Sequence, residues 1–283
     1  GVGVSCDLIL ESNGRDSAPA VAVAALLVEK QRASSNMLVL PSDHFMEREA
    51  DFIRSVTLGL ESATEGSLVI FGVKPTGPET GYGYIEAENA GKVSRVALFK
   101  EKPNIELAKE YIKNERFLWN SGAFLFRSDV IISELAKFDP DTLRNSERAV
   151  SLGKKSDTNF YPFPEAFEAN RSISIDYAVL EKSDNVSVVP LDAGWSDVGS
   201  WSSLWGLGKS DNHGNVSSGD VILQESRDSI IHADGSLVAA IGMSDVIIVA
   251  TKDAVLVADK DKAQGVKSLV DDLKELKRPE WRD

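Results

Sequence analysis

Short runs of β-forming residues alternate with helical stretches over roughly the first two hundred positions. That rhythm restricts the chain to an α/β architecture: a mixed, mostly parallel sheet flanked by helices, because parallel neighbours need long crossovers and the helical stretches supply them. Residues 8–10 predict a strand, and a Gly-containing turn then leads to 18–32, where Ala, Val and Leu crowd the helical positions. Pro19 suits a first helical turn, where its missing N–H has no partner to lose. Residues 37–40 predict a strand stopped by Pro41, 47–65 a helix carrying Phe52, Ile53, Val56, Leu58 and Leu60, and 67–73 a further strand. A strand pair over 82–101, broken at Asn89-Ala90-Gly91, reads as a hairpin. Beyond it come a short helix over 105–114, a strand over 122–126 and a helix over 128–137 with Ser128 as its cap. The stretch 146–170 is polar, reads as irregular, and is expected to cover a surface and not to build the sheet.

After Trp205 the texture changes. Apolar groups recur at strand spacing, among them Val221-Ile222, Ile230-Ile231 and Leu237-Val238, with Gly or Asp between them. Regular short strands with small turns indicate a separate all-β module, a small solenoid or roll, and 263–276 a closing amphipathic helix. The division is placed near Ser210, giving domains 1–210 and 211–283.

Composition removes several function classes. There are 31 Lys and Arg against 44 Asp and Glu, a formal charge of −13 with no basic stripe, which argues against a nucleic-acid partner. One cysteine, Cys6, excludes an internal disulfide framework and Cys-rich metal sites, and fits a reducing compartment, so the cytoplasm is the default. No apolar run reaches the roughly 18 to 20 residues of a membrane span, and no signal peptide is recognisable. The chain starts at Gly1 and opens almost directly on a strand, as a fragment would.

Five stretches carry possible chemistry. Leu38-Val39-Leu40-Pro41-Ser42-Asp43-His44 runs an apolar strand into a carboxylate at its carboxyl end, where α/β sheets bind ligands; a helix-capping Asp is the plain alternative. In Gly194-Trp195-Ser196-Asp197-Val198-Gly199-Ser200-Trp201 an Asp stands between glycines and tryptophans, which either wall in the carboxylate or seal a domain junction. Phe99-Lys100-Glu101-Lys102-Pro103 offers a lysine for a phosphate and Glu101 for sugar hydroxyls, or merely solvated edge charges. Glu79-Thr80-Gly81-Tyr82-Gly83-Tyr84 combines glycines that admit a ligand with tyrosines that can lie on a sugar ring, or forms an ordinary turn. Trp119-Asn120-Ser121-Gly122 is a turn or a polar ligand contact. The three histidines lack metal-ligand spacing, and no Gly-x-Ser-x-Gly, Gly-x-x-x-x-Gly-Lys-Ser or Gly-x-Gly-x-x-Gly motif occurs.

In this order, together with Gly14-Arg15-Asp16-Ser17-Ala18-Pro19-Ala20, Phe71-Gly72 and Ser174-Ile175-Asp176-Tyr177-Ala178, these stretches resemble the nucleotidyltransferases that make nucleotide sugars, most closely the bacterial mannose-1-phosphate guanylyltransferases. The resemblance implies a Rossmann-like nucleotidyltransferase sheet followed by a small left-handed β-helix, a module that such enzymes often use in dimer contact, so a homodimer is allowed. It implies formation of GDP-mannose and pyrophosphate from GTP and mannose 1-phosphate, a step on the way to cell-surface polysaccharide. Asp43 and Asp197 would hold Mg²⁺ and Lys102 the sugar phosphate. Glu101, Tyr82, Gly83, Asn120 and Ser121 would form the sugar pocket, with Arg15, Asp16, Ser17, Pro19 and Ser42 beside the nucleotide.

Asp16 and Ser17 depart from the family's Arg-Asn-Thr-Ala-Pro-Ala, adding a charge near a polyanion. The family's Gly-Gly-x-Gly-x-Arg-Leu-x-Pro-Leu phosphate loop, which precedes the Arg15 segment, is absent from the sequence, and the expectation is that the first strand and that loop lie outside the chain. Whether the parent continues into a cupin-like isomerase domain is left open. Two other readings stay open: a non-catalytic nucleotide-sugar sensor, against which the retention of both Asp43 and Asp197 argues, and a transferase for another base or hexose phosphate.

Overall fold

The computed structural model describes residues 6–199 and 210–279. Up to residue 199 the chain runs through β1 (Leu8–Ile9), α1 (Ser17–Gln31), β2 (Asn36–Val39), β3 (Phe45–Met46), α2 (Glu49–Thr64), β4 (Leu68–Val73), β5 (Tyr84–Ala87), β6 (Ser94–Lys100), α3 (Ile105–Tyr111), β7 (Phe117–Arg127), α4 (Ser128–Phe138), α5 (Pro140–Ser151), β8 (Lys154–Ser156), β9 (Asn159–Tyr161), α6 (Pro164–Glu168), a π-helical turn (Asp176–Leu180), β10 (Val186–Leu191) and β11 (Trp195–Ser196). From residue 210 come β12 (Val216–Ser218), β13 (Val221–Gln224), β14 (Ile230–Ala233), β15 (Val238–Ile241), β16 (Val246–Ala250), β17 (Val255–Asp259) and a terminal helix, Val266–Glu275. There are two compact units: the chain up to Ser42 with Met46–Trp195, and Asp43–Phe45 with the chain from Ser196 onward.

The first unit is built on a six-stranded sheet in the order β2-β7-β4-β10-β6-β5. β4 and β10 pair in parallel along their whole length, while β7 opposes β2 and β4, and β6 opposes β10 and β5. It follows that β2, β4, β10 and β5 point one way and β7 and β6 the other: the sheet is mixed, as expected, with β4 and β10 as its parallel neighbours and the other described pairings antiparallel. β4 reads Leu-Val-Ile-Phe-Gly-Val because both of its faces are covered. Leu68 and Ile70 pack with Ala18, Val21, Ala22 and Ala25 of α1 and Ile131 and Leu135 of α4. Val69 and Phe71 pack on the other side with Ala63, Phe52 and Val56 of α2. Gly59 lets α2 come close, since a Cβ there would lie 3.1 Å from Val69 Cγ1.

Three local expectations are corrected. The strand expected over 122–126 starts at Phe117, so Trp119-Asn120-Ser121-Gly122 lies inside β7 and is not a turn. The irregularity it carries is a register shift against β4 between Ile70 and Gly72. The helix at Ser128 begins where expected, but Ser128 does not cap it; its hydroxyl donates to Glu29 Oε2 at 2.5 Å. Residues 146–170 are regular: α5 extends to Ser151, β8 and β9 pair, and β9 adds β1 in parallel to make a small three-stranded sheet.

In the second unit β12, β14 and β16 stack in parallel with Val216, Ile230 and Ile247 in register, and Val221 of β13 lies against Val238 of β15 in a second parallel ladder. β17 returns antiparallel on β16. This is a β-helix-like coil, with Ile230, Ile247 and Val249 in its core. Its buried corners are polar and satisfied. The Asn215 amide donates to Asp211 Oδ2 (3.0 Å) and Ser226 O (2.9 Å), and its oxygen accepts from Ser229 N (3.2 Å). The Ser226 and Ser229 hydroxyl oxygens accept from Met243 N and Val246 N. Among the described residues no helix is long and apolar enough to cross a membrane.

Candidate active site

The strand trio β6-β5-β7 brings the residues expected to read the sugar to one place in the first unit, with Tyr84 of β5 opposite both Lys100 and Trp119. Just before β5, Gly83 O accepts from Asn120 N at 2.8 Å. A side chain at Gly83 would collide with Glu101 Oε2, so glycine is what lets that carboxylate pack against the backbone. Glu101 follows β6 and is only 8% exposed, and its Oε2 has no hydrogen-bond partner among the described residues. Lys102 is exposed, holds a left-handed backbone at φ 45°, and brings Nζ to 3.4 Å from Glu101 Oε1. Left-handed backbone at a non-glycine residue is costly and collects at functional sites. Lys100, by contrast, is engaged by Glu181 at 2.6 Å, a hydrogen bond that raises its pKa. Of the two lysines that flank Glu101, Lys100 is therefore tied to Glu181 and Lys102 is the one that meets Glu101.

Asn120 is buried and uses both ends of its amide: Nδ2 donates to Asp176 Oδ1 at 2.8 Å and Oδ1 accepts from Gly122 N at 3.1 Å. Ser121, next along the strand, is fully buried and its hydroxyl oxygen accepts from Ala123 N. Tyr82 meets Trp119 and Trp195 edge-on at ring distances of 5.1 and 5.4 Å, which makes it part of the wall. Burial first and the charge of Asp176 second push the Glu101 carboxyl up to about 7, against the pull of Lys102. Asp176 is pushed up as well, by burial, with the Asn120 hydrogen bond opposing.

Asp176 is the site residue that the sequence reading did not single out. It opens the π-helical turn, an irregularity that recurs at functional sites. The available signal was a lone acid in a run whose neighbours Ile175, Ala178, Val179 and Leu180 are buried.

The loop from Arg15 to Pro19 packs against the segment that leads to Asp176. Ile173 N donates to Arg15 O (3.3 Å), Ala18 N to Ile173 O (3.1 Å) and Ile175 N to the Ser17 hydroxyl (2.9 Å). Asp16 takes the N-cap of α1: at φ 65° its Oδ1 accepts from Ser17 N at 2.7 Å. The charge that departs from the family wording thus serves the helix start, where a carboxylate is favoured. Pro19 is buried in the first turn, and Arg15 Nε is buried without a hydrogen-bond partner among the described residues.

Asp43 and exposed Ser42 precede β3, and Asp43 does not cap α2, whose N-cap is Arg48. β3 pairs with β11. Continuing that pair, Glu47 N donates to Gly194 O and Arg48 N to Ala193 O, so the two chains run in opposite directions. Asp43, before β3, and Asp197, after β11, therefore lie towards the same end of the pair, and both belong to the second unit. Asp43 is exposed. Asp197 is partly exposed, with Oδ1 accepting from Gly199 N at 3.1 Å. The neighbouring Trp201 and Trp205 lie outside the described residues.

A family model described as nucleotidyl transferase matches residues 1–213, and a second, described as a mannose-phosphate-isomerase/GMP-like β-helix domain, matches residues 219–273. The alginate biosynthesis protein AlgA of Pseudomonas fluorescens is 44% identical over 98% of this chain and 58% of its own length. A mannose-1-phosphate guanylyltransferase of Klebsiella pneumoniae is 43% identical over 99% of this chain and 60% of its own. The chain thus spans well under two thirds of the length of these relatives. A solved structure titled mannose-1-phosphate geranyltransferase, from Thermus thermophilus, superposes with a TM-score of 0.83 at 33% identity, covering 94% of this chain and 77% of that one.

Proposed function

The chain belongs to the nucleotidyl transferase family, and on that footing we propose that it carries the guanylyl transfer from GTP to mannose 1-phosphate that yields GDP-mannose and pyrophosphate. A phosphate oxygen of the sugar phosphate attacks the α-phosphorus of GTP; the bond from that phosphorus to the bridging oxygen breaks, and pyrophosphate leaves with the electron pair. Such a reaction needs positioning and charge neutralisation more than covalent help from the protein. The observation that carries the reading is the buried Glu101, packed on Gly83 and beside exposed Lys102, with an oxygen that has no hydrogen-bond partner among the described residues. There Lys102 holds the sugar phosphate, Glu101 accepts from ring hydroxyls, and Asn120 fixes the floor. The Arg15–Pro19 loop at the start of α1 lies beside the nucleotide base.

Asp43 and Asp197 offer hard oxygen donors in the same compact unit, a donor set that fits Mg²⁺, which takes one or two carboxylates and keeps several waters. Bound by them, Mg²⁺ would offset the charge of the phosphates. Synthesis from soluble nucleotide and sugar phosphate goes with a cytoplasmic enzyme, and a homodimer belongs to the same proposal.

The test is pyrophosphate release by the full-length protein given GTP, mannose 1-phosphate and Mg²⁺. Asp197→Asn should lower turnover by about a hundredfold or more, the scale of losing a group that stabilises developing charge, while sugar-phosphate binding is largely kept. Undiminished turnover in that variant refutes the assignment of Asp197, and preference for another nucleoside triphosphate in competition refutes guanylyl transfer.

A further inference from the structure

A two-residue ladder, Phe45–Met46 against Trp195–Ser196, is the only regular pairing among the described residues between the strands that carry Asp43 and Asp197. So short a pairing is marginal by itself, and the register of the two strands needs a further hold. Arg48 supplies it. Its Nη2 donates to the Asp192 carboxylate at 2.5 Å and to the Asp192 carbonyl at 3.0 Å, its Nη1 to Glu47 Oε2 at 3.1 Å and its Nε to Asp51 Oδ2 at 2.8 Å. The Arg48 backbone N–H adds the bond to Ala193 O at 2.9 Å, and Ala193 is fully buried in the cluster that also holds Ala63 of α2. Next to it Gly194, left-handed at φ 64°, lies so close to Glu47 that a Cβ would come within 2.6 Å of the Glu47 Cβ. The two chains are thus locked where they cross.

We infer that Arg48 is a positioning residue for the divalent cation: by clamping the strand that leaves Asp43 to the strand that leads to Asp197, it sets how far apart the two carboxylates stand. The inference rests on the reading of those acids as Mg²⁺ ligands. Arg48 comes five positions after Asp43 and Asp192 five before Asp197, so in an antiparallel pair both acids lie at the same remove from the clamp. A single exposed ion pair would carry little weight. Arg48 differs because one planar fork holds four acceptors drawn from both chains, which the point charge of a lysine does not reproduce. The sign of the effect separates alignment from charge. By Coulomb's law, removal of a cation tightens Mg²⁺ at any distance, whereas loss of alignment loosens it.

Mn²⁺ alone, titrated into the full-length protein and followed by loss of the free-ion electron-spin-resonance signal, reports the site without turnover. Arg48→Ala should weaken Mn²⁺ about tenfold, the scale of losing an outer group that orients metal ligands, and Arg48→Lys should stay several-fold weaker than wild type. Arg54→Ala is the control: it takes a cation from Asp51 within α2 without touching the crossing, and should leave the affinity as it was. In the turnover assay the half-saturating Mg²⁺ of Arg48→Ala should rise by the same factor, kcat should recover at high Mg²⁺, and the KM for mannose 1-phosphate should stay level. Unchanged or tighter Mn²⁺ in Arg48→Ala, full recovery in Arg48→Lys, or an equal loss in Arg54→Ala overturns the clamp. Where Arg48→Ala fails to fold, Arg48→Lys against wild type decides. Equal Mn²⁺ binding by wild type and Asp197→Asn refutes the metal reading itself and the clamp with it. Absence of pyrophosphate with the Mn²⁺ affinities ordered as stated refutes only the transferase reading.

Discussion

A buried acid with one weak counter-charge leaves a thermodynamic signature at the scale of the single residue. Glu101 moves from its ordinary 4.5 to about 7, so between those values the folded state keeps a proton that the unfolded chain has released. Stability therefore falls as pH rises through that window and levels off above it, by an amount whose ceiling is roughly 3 kcal/mol. Glu101→Gln keeps the shape and removes the charge, and should raise the melting temperature at pH 8 while leaving it unchanged near pH 4. Calorimetric scans at the two pH values decide it, and an equal gain at both would show that charge is not the cause. The neighbouring Gly83 gives a steric counterpart. Gly83→Ala would place a methyl on Glu101 Oε2, and the carboxylate would have to swing away from its place beside Asn120 and Phe99. The KM for the sugar phosphate should rise about tenfold or more with that of GTP nearly unchanged, whereas an unaltered sugar KM would mean that the pocket is elsewhere.

Among the elements, α1 shows what can be read from sequence and what cannot. Its existence was plain from Ala, Val and Leu at helical positions with Pro19 in the first turn, and the hairpin of β5 and β6 from Asn89-Ala90-Gly91, because both signals are local. The role of Asp16 was not legible: a cap is recognised by its hydrogen bond, and the same residue read against the family wording was only an added charge. Asp16→Ala should cost about 1 kcal/mol in denaturant unfolding and Asp16→Asn only a few tenths, since both Asn and Asp accept at this position. A large loss in Asp16→Asn would mean that the charge, and not the cap, is what matters. β7 was hidden for a related reason. Its first half carries Asn120, Ser121 and Gly122, residues that punctuate loops elsewhere but here serve the pocket, the core and a left-handed kink at φ 71°. Asp176 was missed because a π-helical turn has no sequence period of its own, and the acid's importance depends on Glu101, which only folding brings near it.

For the whole molecule, Asp43 and Asp197 make the same point over a longer distance: no spacing rule links them, and it is the pairing of β3 with β11 that sets both towards one end of a strand pair. The change to an all-β module was legible, by contrast, because a coil repeats its short apolar strands at regular intervals. That module has its own core around Ile230, Ile247 and Val249, apart from the clusters that pack against the six-stranded sheet. Damage inside the coil should then register there first. Asn215 ties two stretches of the coil together through Asp211 on its own stretch and Ser226 and Ser229 on the next, and its hydrogen bonds hold the Asp211 carboxyl below its usual value. Asn215→Ala would leave the buried Ser226 carbonyl and Ser229 N–H without their side-chain partner, at a cost of about 2 to 4 kcal/mol. Native-state hydrogen exchange should show amides of β12, β14 and β16 losing protection by that amount while those of β4 and β10 keep theirs. Equal loss in β4 and β10 would show that the two units unfold as one cooperative body, and that their separate cores do not divide the stability of the chain.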